Sequence, residues 1–459
     1  MALFFVLFFI PTAFPAFAQN SSPWKIEDAL HLPEWFSVSG EHRARYETLS
    51  EQFRLGSNGS DQILSFRTLA QARIKFNDEF QLKLELQDAR AELADSGSRI
   101  NNSIVNAAEL LEANLVWKTG DLFLEGSESI LRAGRFTLDL GKRRFVARNR
   151  FRNVIQGYSG LDWLWTAQQG VKVRTLLTLP VNRQPTVPTQ LLNNDTEFDE
   201  ESLHQIFWGI FISAPDLPAG HAGEISFFAL HEDDANKFQT RNREIYTPGF
   251  RFYRPEKAGN LDYELETMLQ FGSVRATPAL QDTRDLDHFA HFHHAEVGYT
   301  VKSCWRWRFF LEYDYASGDA DPADGKSGRF ERLFGPNITD FGPTSIHTAF
   351  VRANISSPGA RLQVQPHKKV SGYISYRAFW LASNKDGWQG ASGLRDVTGN
   401  SEHFLGHQLF LRGKWKAHPN LKLEGGVVYR IDGDFQQGAP GAPGQGNSLY
   451  SYISTTLSF

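Results

Sequence analysis

Oily and charged residues alternate with a period of two along most of this chain. Over residues 63–76, Leu64, Phe66, Thr68, Ala70, Ala72, Ile74 and Phe76 share one face, while Arg67, Gln71, Arg73 and Lys75 share the other. Residues 261–271 set Leu261, Tyr263, Leu265, Thr267, Leu269 and Phe271 against Asp262, Glu264, Glu266 and Gln270. Residues 305–315 set Trp305, Trp307, Phe309, Leu311, Tyr313 and Tyr315 against Arg306, Arg308, Glu312 and Asp314. Side chains of a strand point alternately to its two faces, so each segment reads as a strand with one apolar and one polar face. A soluble sandwich also alternates, so periodicity alone leaves two architectures open. Length separates them: these segments run about 10 to 13 residues, the span of a tilted membrane strand.

Connections alternate as well. Short turns are expected at residues 77–79, 255–259, 303–304 and 417–420, and long polar loops at 49–62, 180–203, 317–346, 384–405 and 432–447. Short turns at one end and long loops at the other are the outer-membrane pattern. The expected fold is therefore all-β: a single transmembrane antiparallel β-barrel of about 18 strands with short periplasmic turns, long extracellular loops and both termini on the short-turn side. Composition agrees. Lys and Arg total 48 against 52 Asp and Glu, a formal charge of -4, which argues against a nucleic-acid binder. Phe alone contributes 37 residues, as suits a lipid-facing surface, and the lone Cys304 excludes an intramolecular disulfide.

The ends carry targeting signals. An apolar run at residues 4–10 is followed by Pro11, Pro15 and Ala16-Phe17-Ala18, the small-residue pattern cut by signal peptidase. Residues 1–18 are read as a signal peptide, 19–36 as a periplasmic segment and 37–459 as the barrel. At the other end, Ile453, Thr455, Leu457 and the terminal Phe459 alternate, resembling the signal by which barrel assembly machinery recognises its clients.

The densest charge lies in LRAGRFTLDLGKRRFVARNRFRNVIQGYSGLDW, with Arg132, Arg135, Lys142, Arg143, Arg144, Arg148, Arg150 and Arg152. Arginine's planar fork suits carboxylates and stays charged. Such a cluster either lines a pore for anions or meets lipopolysaccharide phosphates outside it. Its order of short motifs (GR, LGxxR, RxF, GxxW) resembles the alginate export porin family. So do SGEHRARYE (39–47), LELQDAR (84–90), EYDYASGDADPADG (312–325) and YRAFWLASNKDGW (376–388). The resemblance covers the mature chain in order. It implies an eighteen-stranded, monomeric outer-membrane barrel of a Gram-negative bacterium, with an arginine-lined lumen for anionic uronate polymers. Two departures are visible: Phe136 stands where members often carry Gln, and the turn at 417–420 is too short for the family's periplasmic plug.

Lumen candidates are Arg135 and Arg144 first, then Arg43 and Arg67, with Arg132, Arg73, Lys75, Arg152 and Asp162. Asp319, Asp321 and Asp324 are weak calcium candidates, departing from the EF-hand spacing. His288, His291, His293 and His294 cluster, but alternate positions point to opposite faces. No catalytic motif such as GxSxG or HExxH occurs, so no enzyme and no cofactor is expected. The sequence leaves three functions open: a channel for anionic saccharide, a general or nutrient-uptake porin for other anions, and a filled barrel serving adhesion or lipid chemistry.

Overall fold

The computed structural model describes residues 22–57, 59–94, 97–235, 238–443 and 446–459. The signal peptide assigned to residues 1–18 lies outside the described residues. Nineteen strands run in chain order: β1 (Phe36–Ser50), β2 (Asp61–Lys75), β3 (Phe80–Glu92), β4 (Asn106–Gly120), β5 (Glu128–Phe136), β6 (Tyr158–Thr166), β7 (Lys172–Pro180), β8 (Gln205–Leu217), β9 (His221–Glu232) and β10 (Glu244–Arg254). They continue with β11 (Leu261–Val274), β12 (Leu286–Thr300), β13 (Arg308–Ala316), β14 (Lys326–Ser327), β15 (Ile355–His367), β16 (Val370–Trp380), β17 (Phe404–His418), β18 (Leu421–Asp432) and β19 (Ser448–Ser458). Each wall strand pairs antiparallel with its neighbours, β13 pairs directly with β15, and β1 pairs with β19 from Glu41↔Ser458 to Ser50↔Leu449. The two-residue β14 adds only a short parallel pairing to β12, so the closed wall has 18 strands. Among the described residues, closure leaves no unpaired sheet edge in lipid.

Connections alternate strictly: 76–79, 121–127, 167–171, 218–220, 255–260, 301–307, 368–369 and 419–420 are short, and every intervening one is longer. The longest spans residues 317–354, beyond the expected end at 346. One expected strand starts late. Trp305 and Trp307 stack in the turn before β13, with ring centroids 5.4 Å apart, because Arg306 between them takes a left-handed φ of 44°. On the outer face Ile225 and Phe289 are 63% and 64% exposed, as lipid-facing residues should be. Trp117, Phe123, Trp163, Trp305 and Trp415 gather near the short-turn end, the place of an interfacial aromatic girdle.

The closing seam passes through Gly40. Its N–H donates to the Phe459 carbonyl (2.8 Å) and Phe459 N–H donates back (3.0 Å). A Cβ on Gly40 would stand 2.6 Å from the Leu69 carbonyl oxygen and 2.6 Å from the Phe459 ring. Gly40→Val is expected to destabilise the barrel by at least ~2 kcal/mol through overpacking at this seam. A reduced fraction of heat-modifiable, folded protein on cold gels checks it.

The apolar core lies inside the barrel toward the long-loop end. Inward wall residues there are apolar, including Leu49, Ile63, Phe207, Phe292 and Tyr450. Loops fold in to meet them. Phe145 packs edge-on to Phe292 (5.2 Å) and Phe330 (5.9 Å), and Trp388 stacks between Phe53 (5.3 Å) and Phe350 (5.5 Å). Each such ring contributes on the order of 1.5–3 kcal/mol by burial, enough to hold loops that lack strand partners.

Candidate functional site: the lumen and its inward loops

The loop between β5 and β6, residues 137–157, crosses the lumen. Gly141 (φ 51°) and Arg143 (φ 70°) turn it, and Asp139 ties the turn by accepting from Arg143 Nε (2.9 Å) and the Arg148 N–H (2.9 Å). On one wall Arg43 donates to the carbonyls of Arg150 (2.7 Å) and Arg152 (3.1 Å) and to Asn153 Oδ1 (3.0 Å). Arg45 reaches the Phe151 carbonyl, and Arg67 the Arg152 carbonyl (3.1 Å) while pairing with Glu41 (2.6 Å). Arg148 grips Glu85 with two bonds (2.6 and 3.0 Å). On the far wall the fully buried Arg144 pairs with Glu264, with Glu266 (2.6 Å) and with Asp340 (3.1 Å), its third nitrogen meeting His294 Nε2 (2.9 Å).

The loop 317–354 folds in beside it. Arg352 binds Asp340 and the Pro336 carbonyl (2.7 Å), and the wall residue Arg377 bonds the Asp340 carbonyl (3.2 Å). The two loops join where the Phe334 N–H donates to the Phe145 carbonyl (2.8 Å). Together they narrow the barrel from within.

A cavity of about 410 Å³ lies between these loops and the wall. The loop presents Arg143 and Arg150 to it; the wall presents Arg43, Arg45, Arg361, Arg412, Lys414 and Lys422. Those eight cations face a single lining carboxylate, Glu424. A second cavity of about 380 Å³ shares Tyr373, Arg412 and Lys414 with the first and adds Arg306 and Arg308, against Glu256. Counter-charges such as Glu47 for Arg45 (2.8 Å) and Glu312 for Arg361 (3.2 Å) pair with these cations without lining either cavity. Wall cations facing a water-filled space of one sign concentrate anions there.

The residues singled out from sequence divide into groups. Arg43 lines the large cavity; Arg67 is buried beside it and holds the loop. Arg132 and Arg174 clamp Asp162 (both N–O contacts 2.7 Å or shorter), a wall brace between β5, β6 and β7. Arg144 is wholly buried as the hub described above. Arg152 is also in the loop, and its Nε has no hydrogen-bond partner. Arg73 and Lys75 are exposed near the short-turn end, Lys75 paired with Asp78 (2.7 Å). Arg135 alternates with Arg132 and Phe136 and so takes the opposite face of β5. It is tied at the long-loop rim to Glu109 (2.6 Å) and Glu201 (2.7 Å). Asp319, Asp321 and Asp324 each accept a backbone N–H, from Gly328, Ala323 and Lys326. No group of three metal-ligating side chains comes together among the described residues. Arg361, Arg412, Lys414 and Lys422 were passed over, although the alternation of Arg412, Lys414 and Lys416 in LRGKWK was there to be read.

Asp199, in the loop 181–204, was also not singled out. Its Oδ1 accepts from Asn106 Nδ2 (2.6 Å) and the Gln184 N–H (2.8 Å), its own N–H donates to Glu109 (2.9 Å), and Arg135 reaches its carbonyl (3.4 Å). Burial, with the Glu109 carboxylate adding to it, pushes its carboxyl up to about 7. A carboxyl raised on docking favours the docked loop at low pH, and that preference is lost as pH rises through 7. Hydrogen exchange in residues 181–204 is expected to quicken several-fold between pH 6 and 8 beyond its intrinsic base catalysis, and Asp199→Asn to remove that excess.

A closed barrel of 18 strands with lipid-facing rings outside and a lumen of buried basic residues defines a porin-type outer-membrane channel. The profile of the alginate export family matches residues 34–446, and the chain belongs to that family of transport porins. The barrel is similar to crystal structures of Acinetobacter baumannii OccAB1 (12% identity, TM-score 0.58, 93% of this chain and 97% of that one) and Pseudomonas aeruginosa OccK9 (10%, 0.59, 92% and 98%). It is also similar to Pseudomonas aeruginosa OccD3 (12%, 0.55, 93% and 91%). At such identities the likeness is one of fold. No curated protein matches the chain. Family and fold place the protein in the outer membrane of a Gram-negative bacterium, surrounded by lipid and lipopolysaccharide.

Proposed function

We propose that this channel passes an anionic poly- or oligosaccharide of the uronate type. Flux is passive, and the lumen cations do the selecting. The observation that carries this reading is the cavity with eight cations and one carboxylate on its lining. Sugar hydroxyls hydrogen-bond to polar walls, while each carboxylate meets guanidinium or ammonium groups that release it readily because several compete for it. Membership of the alginate export family supports the uronate class. The β1–β19 pairing encloses a complete lumen within one chain, and we take a monomer, as the family resemblance implies, to be the working unit.

The test is conductance of the purified mature protein in planar bilayers under a tenfold KCl gradient. The reversal potential is expected to lie on the anion side, and a galacturonate trisaccharide to interrupt the current at concentrations where maltotriose does not. A cation-side potential would overturn the reading, and so would equal sensitivity to the two sugars.

A further inference from the structure

A third cavity, of about 370 Å³, opens at the other side of the inward loops. It is built from the long-loop end of the barrel: Asn102, Gln156, Arg183, Phe238 and Phe334 lie in long loops, and Gln205 opens β8. It therefore faces away from the short-turn end and shares no residue with the two basic cavities of the lumen.

Three features make it a built site. Its lining is rich in amides, with Asn182, Gln184 and Gln239 joining Asn102, Gln156 and Gln205. Gln205 is 6% exposed; its Nε2 donates to Glu232 (2.8 Å), which fixes the amide and leaves its Oε1 without any partner. A buried acceptor left open costs free energy unless a donor fills it. Next, Arg183 lines the cavity and forms no ion pair among the described residues, nor do Arg152 and Arg332, which act on it and on each other. Burial and those two neighbouring guanidiniums bring Arg152 down to about 9, an electrostatic tension that an anion would relieve. Asp199 is the carboxylate acting on Arg183, from beyond ion-pair distance. Finally, the lining ring of Phe334 is backed by the wholly buried Tyr158, which meets it edge-on at 5.5 Å without itself lining the cavity.

We infer that this cavity binds one anionic sugar residue at the extracellular mouth, its carboxylate on Arg183 and its hydroxyls on Gln205 Oε1 and the surrounding amides. Phe238 and Phe334 supply the apolar wall on which a sugar ring's C–H face lies. Amides suit sugar hydroxyls because each both donates and accepts. The volume, on the order of a dozen waters, fits one ring and its substituents. The site deepens the reading of the channel as a saccharide pore and rests on it, giving the polymer a first or last foothold separate from the charge filter.

The experiment adds galacturonate trisaccharide to the long-loop side of single channels and measures the concentration for half block, with maltotriose and inorganic phosphate as controls. Arg183→Gln is expected to raise that concentration about tenfold or more, the loss of one hydrogen-bonded charge contact. Block from the short-turn side and the chloride-to-potassium ratio should stay unchanged. Gln239→Ala, at an exposed lip position where folding is not at stake, should raise it about threefold. The inference is overturned if either variant blocks like the parent, or if phosphate blocks the parent as well as the trisaccharide does, since the site would then read charge alone. A parent channel that prefers cations would instead overturn the saccharide reading of the lumen, and an anion-preferring channel whose variants behave like the parent would overturn only this site.

Discussion

Arg144→Met is expected to cost the folded barrel about 3–5 kcal/mol, the penalty for breaking a buried ion pair by removing one partner. Both a lower melting temperature in detergent and larger, noisier unitary currents should follow. The side chain is fully buried and holds three carboxylates at once: Glu264 and Glu266 from the wall strand β11 and Asp340 from the neighbouring loop. Methionine fills the volume but strips Glu266 of its one ion pair among the described residues, and leaves Glu264 to Arg251 and Lys142 and Asp340 to Arg352. It also frees one end of the loop 137–157, whose other end stays fixed by Arg43, Arg45 and Arg67. Lysine should not rescue, because a single ammonium cannot span three partners that a planar guanidinium reaches along separate N–H directions. Adding Glu266→Gln to Arg144→Met should recover part of the loss, since Glu266 is the carboxylate left without a cation. Unchanged melting and unchanged current noise in Arg144→Met would mean that the loop is held without Arg144, by Arg43, Arg45, Arg67 and its aromatic contacts.

Acid should narrow the gap between that variant and the parent. Burial alone would raise the Asp340 carboxyl, but Arg144 and Arg352 outweigh it and hold the group well below its usual value. A carboxyl depressed in the folded state contributes stability above about pH 4, and that contribution is lost as pH falls through its native value. In Arg144→Met the largest of these attractions is gone and Arg352 and His294 remain, so Asp340 takes its proton at a higher pH and the buried charge disappears sooner. The difference in melting temperature should be largest near pH 7 and shrink as pH approaches 3.

The wall was legible in the sequence because lipid outside and water inside force a strict two-residue rhythm on every strand. That rhythm puts Arg67 opposite Arg43 and Glu266 opposite Arg251 on the inner faces of neighbouring strands. What the rhythm could not convey is the use of the long loops. Residues 137–157 have no period, so the loop's arginines read as one basic cluster, whereas folding sends Arg144 to a buried hub and leaves Arg150 lining the cavity. The wall gives a second false cue near the long-loop end. There Leu49, Ile63 and Phe207 point inward, apolar on the face expected to be polar, because they meet the inserted loops rather than water. Arg135 illustrates the opposite case: its charge suggested the lumen, yet strand parity with Arg132 and Phe136 puts it on the other face, where Glu201 of an overlying loop receives it.

Reversing two lumen cations, Lys414→Glu with Lys422→Glu, should turn the channel from anion toward cation preference without disturbing its fold. Both residues line the large cavity. Lys414 makes no ion pair among the described residues, and Lys422 lies a loose 3.9 Å from Glu424 with its side chain 44% exposed. Neither holds a loop, unlike Arg43, whose replacement would move the constriction and confuse size with charge. A unit charge about 8 Å from an ion's path is worth roughly 0.5 kcal/mol at the dielectric of water. Two reversals change the lumen by four units, about 2 kcal/mol or ~30-fold in the local concentration of either ion before screening. At 0.1 M salt the Debye length is close to that distance, which brings the expected change in the chloride-to-potassium permeability ratio to roughly tenfold. The effect should grow when the measurement is repeated at lower salt. Arg412, already paired with Glu424 at 2.6 Å, serves as the internal contrast: neutralising Glu424 instead should strengthen anion preference by freeing it. If the double reversal leaves the permeability ratio where it was at both salt concentrations, ions do not pass this cavity, and the selecting charges must be sought elsewhere in the barrel.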